Sequence, residues 1–151
     1  MKLNENLIQI LLVDDDADDR DFFEEALQDS GIPSNLTTVI DGEKLTDFLA
    51  EIENPPPPDI IFMDINMPYK DGKTCLREIR KDRKFREVPI IMFSTSTHTR
   101  DIEESFNCGA NLYLSKGAFF ENDVHILKQI FGTNWRENIL NVKRDQFFFK
   151  A

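Results

Sequence analysis

The chain has 151 residues, 40% hydrophobic and 11% aromatic, enough for one well-formed core and too few for two ordinary domains. Its formal charge of −10, from 28 acids against 18 bases, argues against a nucleic-acid partner, whose binders usually present a basic face. No apolar run approaches the roughly 18 residues of a membrane span, and the opening MKLNENL lacks the apolar centre of a signal peptide, so a cytoplasmic protein with no membrane partner is expected. Cys75 and Cys108 stand far apart and form no CxxC pair, which excludes a thiol redox or zinc motif of that kind.

In chain order, apolar runs alternate with helical periodicity. Leu7 to Val13 reads as a strand, and the following ADDRDFFEEALQDSG as a helix with Phe22, Phe23, Ala26 and Leu27 inward and Gly31 as its stop. Leu36 to Ile40 is a second strand, followed by a helix with Leu45, Phe48, Leu49 and Ile52 on its buried face. Pro55 to Pro58 make a stiff connector, since each proline fixes its own φ and lacks a backbone donor. DIIFMD is the third strand, with a helix over Lys73 to Lys84, and the basic stretch Arg77 to Arg86 reads as its solvated side. VPIIMFS, a helix over Arg100 to Asn107, NLYLS and a last helix over FFENDVHILKQIF complete five β-then-α repeats. Such repeats imply a parallel sheet with helices on both faces, and ILLV, IIFM and IIMF are apolar at every position, as doubly covered strands should be.

In open α/β sheets the ligand site lies outside the carboxyl ends of the strands. Here those ends are polar: Asp14 and Asp15 after the first strand, Asp64 after the third, Ser94 and Thr95 after the fourth, Ser115 and Lys116 after the fifth. Carboxylates gathered there repel by about 4 kcal/mol per pair at 4 Å and an effective dielectric near 20, so a cation belongs among them. A small all-oxygen site suits Mg²⁺, which binds through one or two carboxylates plus a phosphate, while the calcium loop pattern DxDxDG is not completed. A lysine and a hydroxyl opposite such a metal make the expected anion a phosphoryl group, with Asp64 as the nucleophile that carries it.

LLVDDD, DIIFMDINMPYKDG, IIMFS and YLSK, in this order and spacing, resemble the receiver domains of two-component response regulators over about Ile8 to Phe131. The resemblance implies a doubly wound, five-stranded, flavodoxin-like α/β fold of strand order 2-1-3-4-5, and phosphoryl transfer from a sensor histidine kinase to Asp64. It further implies Asp15 as a direct Mg²⁺ ligand, Asp14 acting through water and the Asn66 carbonyl as another ligand. Ser94 matches the switch hydroxyl, Tyr113 the switch aromatic that rotates inward on phosphorylation, and Lys116 the family's lysine. The chain departs from the family in having Lys116-Gly117 where lysine-proline is common, and serine in place of the commoner threonine at 94.

Two other readings compete. One is a haloacid dehalogenase-type phosphatase, whose acid-x-acid motif is poorly continued by Ala17 and Asp18; the other is a pseudo-receiver that keeps only the fold. About twenty residues follow Phe131, too few for a usual output domain, so the signal is expected to pass to an unknown downstream protein or through self-association, as in standalone receivers serving phytochrome-type kinases. The expected division is a receiver domain over 1–131 and a C-terminal extension over 132–151. That extension, with Trp135, Ile139, Leu140, Val142 and Phe147 to Phe149, either folds back over its own domain or supplies a homodimer or kinase-docking surface.

Overall fold

The computed structural model describes residues 7–51 and 56–150; Ile52, Pro55, the opening MKLNEN and Ala151 lie outside them. Strands β1 (Ile8–Val13), β2 (Ser34–Val39), β3 (Ile60–Met63), β4 (Ile90–Ser94) and β5 (Leu112–Ser115) form one sheet of order β2-β1-β3-β4-β5, all parallel. Among them run α1 (Ala17–Ser30), α2 (Gly42–Glu51), α3 (Gly72–Lys81) and α4 (Thr99–Asn107), and beyond β5 come α5 (Lys116–Glu121), α6 (Asp123–Ile130) and α7 (Trp135–Leu140).

Strand alternation sorts the core into two layers. Leu11, Val13, Ile61, Met63, Ile90, Met92 and Tyr113 point to one face, where Leu45 of α2 and Leu76 and Ile79 of α3 meet them. Ile10, Leu12, Ile60, Phe62, Ile91, Phe93, Leu112 and Leu114 point to the other, against Phe23 and Leu27 of α1, Phe119 of α5 and Ile126 and Leu127 of α6. Phe23, Phe62, Phe93 and Phe119 pack there as an aromatic group with ring centroids 4.9–6.4 Å apart. Helix α1 starts where the Asp16 carboxylate accepts the Asp19 N–H and stops at Gly31, whose φ of 71° suits glycine. No helix among the described residues is long and apolar enough to cross a membrane.

Four local expectations are corrected. Phe22, read as inward, is 54% exposed, because α1 buries only the narrower stripe of Phe23, Ala26 and Leu27. Helix α3 ends at Lys81, where extended Asp82 caps a separate 3-10 turn over Arg83–Phe85. The last helix is two, broken at Asn122 (φ −150°, ψ 41°). Within the basic stretch, Arg80 is not simply solvated: its guanidinium donates to the carbonyls of Gly109, Phe85 and Val88 and to Asn111 Oδ1, pinning the loops beneath the sheet.

The C-terminal segment passes over the β5 edge. Tyr113 N–H donates to the Phe147 carbonyl at 2.9 Å and Phe149 N–H to the Tyr113 carbonyl at 2.8 Å, so this stretch pairs with β5 as a short parallel bridge. Phe147 is buried in one layer and Ile139 in the other.

Candidate functional site

The carboxyl ends of β1, β3, β4 and β5 open into one crevice. Asp14 follows β1 and is fully buried; its Oδ1 accepts the Asp16 N–H at 3.0 Å, and its carbonyl accepts from Arg20 Nη1. Asp15, the next residue, is exposed. Asp64 follows β3, is 6% exposed, and its Oδ1 accepts the Ile65 N–H at 2.7 Å. Asp14, Asp15 and Asp64 each bring a carboxylate oxygen within 4.8 Å of the others. The β3–α3 loop is held tightly beneath them: Gly72 N–H donates to the Ile65 carbonyl at 2.8 Å, and a Cβ on Gly72 would lie 2.0 Å from the Asp64 carbonyl oxygen. Asn66 is exposed on the same loop.

Lys116, the first residue of α5, reaches into this crevice and is 2% exposed. Its Nζ lies 3.0 Å from Asp64 Oδ2, 2.8 Å from Asp14 Oδ2 and 2.7 Å from Asp19 Oδ2. The approach to Asp14 Oδ2 is electrostatic rather than directed, and that buried oxygen accepts no hydrogen bond from the protein. Burial pushes the Asp14 carboxyl up to about 6, outweighing Lys116, and it raises Asp64 in the same direction. Lys116 would be lowered by its own burial, but the surrounding carboxylates of Asp14, Asp19 and Asp64 together raise it, so it stays protonated.

These residues fit a divalent cation. The carboxylates of Asp14, Asp15 and Asp64 converge, the one ammonium beside them is shared with Asp19, a buried oxygen of Asp14 is left without a hydrogen-bond donor, and the donor set is all oxygen.

Ser94 ends β4 fully buried, and its Oγ accepts the Ser96 N–H at 3.2 Å. Ser96 links outward twice: its hydroxyl donates to Asp101 Oδ2 on α4, and its carbonyl accepts the Tyr113 hydroxyl at 2.9 Å. Lys73 of α3 binds that Asp101 at 2.7 Å and Glu104 at 3.1 Å. Tyr113 is already fully buried, its ring against Phe147 and Phe148, so the inward rotation expected on phosphorylation has no exposed starting point in this structure. Thr95 is exposed, and Ser115 serves as the N-cap of α5, its Oγ accepting the Ala118 N–H. The Lys116–Gly117 bond is trans, as are all the described bonds. Sequence reasoning missed Asp19 as a lysine partner and Ser96, Asp101 and Lys73 as a connected set. Asp19 was visible only as one of a run of acids, and the other three carry no local signal because they meet across elements.

A parallel sheet wound on both faces, with buried acids and a lysine at the carboxyl ends of its strands, defines an α/β signalling domain of the phospho-accepting class. The chain belongs to the response regulator receiver domain family, whose model matches residues 10–128, and it is a phosphorylation-dependent signalling domain of the kind that acts with histidine kinases. Response regulator Rcp1 of Synechocystis sp. is 32% identical over 133 residues, covering 86% of this chain and 90% of that protein. The phosphorylated cyanobacterial phytochrome response regulator RcpA matches in structure with a TM-score of 0.74 at 35% identity, over 82% of this chain and 91% of that one. The Mn²⁺-bound form of Rcp1 matches with a TM-score of 0.73 at 31% identity, over 90% and 97%.

Proposed function

We propose that Asp64 accepts a phosphoryl group from a phytochrome-type histidine kinase in a Mg²⁺-dependent step, and that the changed surface is read by a downstream protein in the cytoplasm. The observation that carries this is Asp64 itself: a buried carboxylate 3.0 Å from Lys116, clustered with Asp14 and Asp15 at the mouth of the sheet. Asp14, Asp15, Asp64 and the carbonyl of Asn66 would hold the ion. When bound, Mg²⁺ neutralises the negative charge that gathers on the transferring oxygens.

A carboxylate oxygen of Asp64 attacks phosphorus, the donor's P–N bond breaks, and the imidazole leaves with the electron pair. Asp64 is raised by burial but needs no general base, since it reacts as its anion. Lys116 directs an N–H at a phosphoryl oxygen, and Ser94 turns its hydroxyl towards the new group, giving up the Ser96 N–H. The domain takes one phosphoryl group and loses it slowly, and does not turn over a substrate. The similarity to RcpA and Rcp1 supports the phytochrome-type donor.

Intact mass after incubation with acetyl phosphate and Mg²⁺ tests the reading. One added phosphoryl group is expected, chelation should prevent it, and Asp64→Asn should abolish it. Unchanged mass despite measured Mg²⁺ binding would instead leave a pseudo-receiver. Equal transfer from phytochrome-type and unrelated histidine kinases would remove the donor assignment.

A further inference from the structure

Asp19 lies outside the three-carboxylate cluster yet makes the shortest contact to Lys116, at 2.7 Å against 2.8 Å and 3.0 Å for Asp14 and Asp64. An ammonium has three donors and no acceptor; Lys116 gives one each to Asp19 and Asp64 and is held to Asp14 by charge. Two of those partners, Asp14 and Asp64, belong to the cation cluster, where a bound divalent ion would compete with Lys116 for the carboxylates. Asp19 does not, so its contact to Lys116 is the one of the three that lies outside that competition. Its own position is fixed, because it sits in the first turn of α1 with its N–H on the capping carboxylate of Asp16, and its side chain is only 18% exposed. The base of Lys116, by contrast, opens a short helix and precedes Gly117, around which nothing lies within 4 Å of an added Cβ.

We infer that Asp19 is a positioning residue for phosphoryl transfer: it anchors Lys116 from α1, so that the lysine keeps its place at Asp64 when metal and phosphoryl group take over its other two partners. This rests on the phospho-accepting reading of Asp64. Asp19 lies outside the three-carboxylate cluster and would act only through the ammonium. The cost of its negative charge near an incoming anion is limited because the same oxygen is paired with Lys116.

The test is the rate of phosphoryl uptake from acetyl phosphate by the full chain, followed by intact mass over ranges of donor and of Mg²⁺. Asp19→Ala should lower the rate at saturating donor and metal by roughly ten- to a hundredfold, the scale of a misplaced catalytic group. Mg²⁺ affinity should stay within about twofold, because Asp19 is not among the three cation-facing acids. Asp19→Asn, which keeps the shape and an acceptor oxygen, should recover part of the rate, and it decides the matter if the alanine variant does not fold. A merely structural role would leave the saturating rate untouched. Wild-type uptake with an unaltered rate in both variants overturns the inference while leaving the role of Asp64 intact. A rate loss that vanishes when Mg²⁺ is raised also overturns it, by making Asp19 a metal residue. Wild-type protein that takes up no phosphoryl group at all overturns both.

Discussion

Asp14 shows how a single buried residue ties metal binding to stability. Its carboxyl titrates at about 6 in the folded protein, against an ordinary 3.8, because burial disfavours the charged form more than Lys116 favours it. Between those values the folded protein binds more protons than the unfolded chain, so stability falls as pH rises through that window. The raised Asp64 acts in the same sense. Asp101, lowered by its hydrogen bonds to Lys73 and Ser96, has the opposite sign, but its window lies below 3.8. Denaturant unfolding of metal-free protein should therefore show lower stability at pH 7 than at pH 5, with Asp14→Asn flattening the dependence. Metal binding should reverse the trend, its apparent affinity falling up to about tenfold per pH unit below 6 as a proton competes for Asp14. Metal-free stability that rises from pH 5 to 7 would mean that the charged form of Asp14 is not disfavoured. Asp14, Asp64, Ser94 and Lys116 were legible in the sequence because each directly follows or ends an apolar strand, a position the fold class turns into a site. Asp19 was not, since acids in a first helical turn are sufficiently explained by the helix dipole, and its partner lies 97 residues away.

Helix α3 meets the site through a close backbone approach. Gly72, at the start of α3, has no room for a methyl group, because the added carbon would lie 2.0 Å from the Asp64 carbonyl oxygen, which cannot swing aside like a side chain. Gly72→Ala should push α3 away from the loop that carries Asp64, costing about 1–3 kcal/mol in stability and weakening metal binding. Gly117 is the internal control: an added Cβ there meets nothing, so Gly117→Ala should not destabilise the fold. Equal midpoints of denaturant unfolding for Gly72→Ala and wild type would show that the loop yields freely. Strand order and the two-sided winding follow from uniformly apolar strands separated by helical patterns, and these were readable from sequence. The break at Asn122 was not, because FFENDVHILKQIF keeps apolar residues at helical spacing on both sides of it. Phe22 misled for a related reason: adjacent phenylalanines at 22 and 23 lie 100° apart on a helix, and only one can face a flat sheet.

At the scale of the whole molecule, residues after Gly132 complete the β5 edge. Beside β5 the sheet would present unpaired donors and acceptors, and the segment answers them through Phe147 and Phe149 on either side of Tyr113. It also contributes to both layers, with Phe147 on one face and Ile139, flanked by Trp135 and Val142, on the other. Arg144 stacks on Phe106 of α4 at 4.8 Å and pairs with Glu103, so the same segment grips the helix that Ser96 and Lys73 connect to the site. Removing residues 133–151 should leave the five strands and Asp64 in place but uncover Tyr113 and Phe106. The lost burial of Phe147 and Ile139, at about 1.5–3 kcal/mol each, sets the scale of the loss, so the unfolding midpoint should drop by roughly 10–20 °C. Phosphoryl uptake at Asp64 should persist in the truncated chain, and the exposed β5 edge should make it self-associate at high concentration. Sedimentation and thermal unfolding of the two forms, with and without acetyl phosphate, separate the outcomes. A truncated chain with an unchanged midpoint, alongside a full chain that dimerises where the truncated one stays monomeric, would show that the segment serves a neighbouring copy in place of its own sheet.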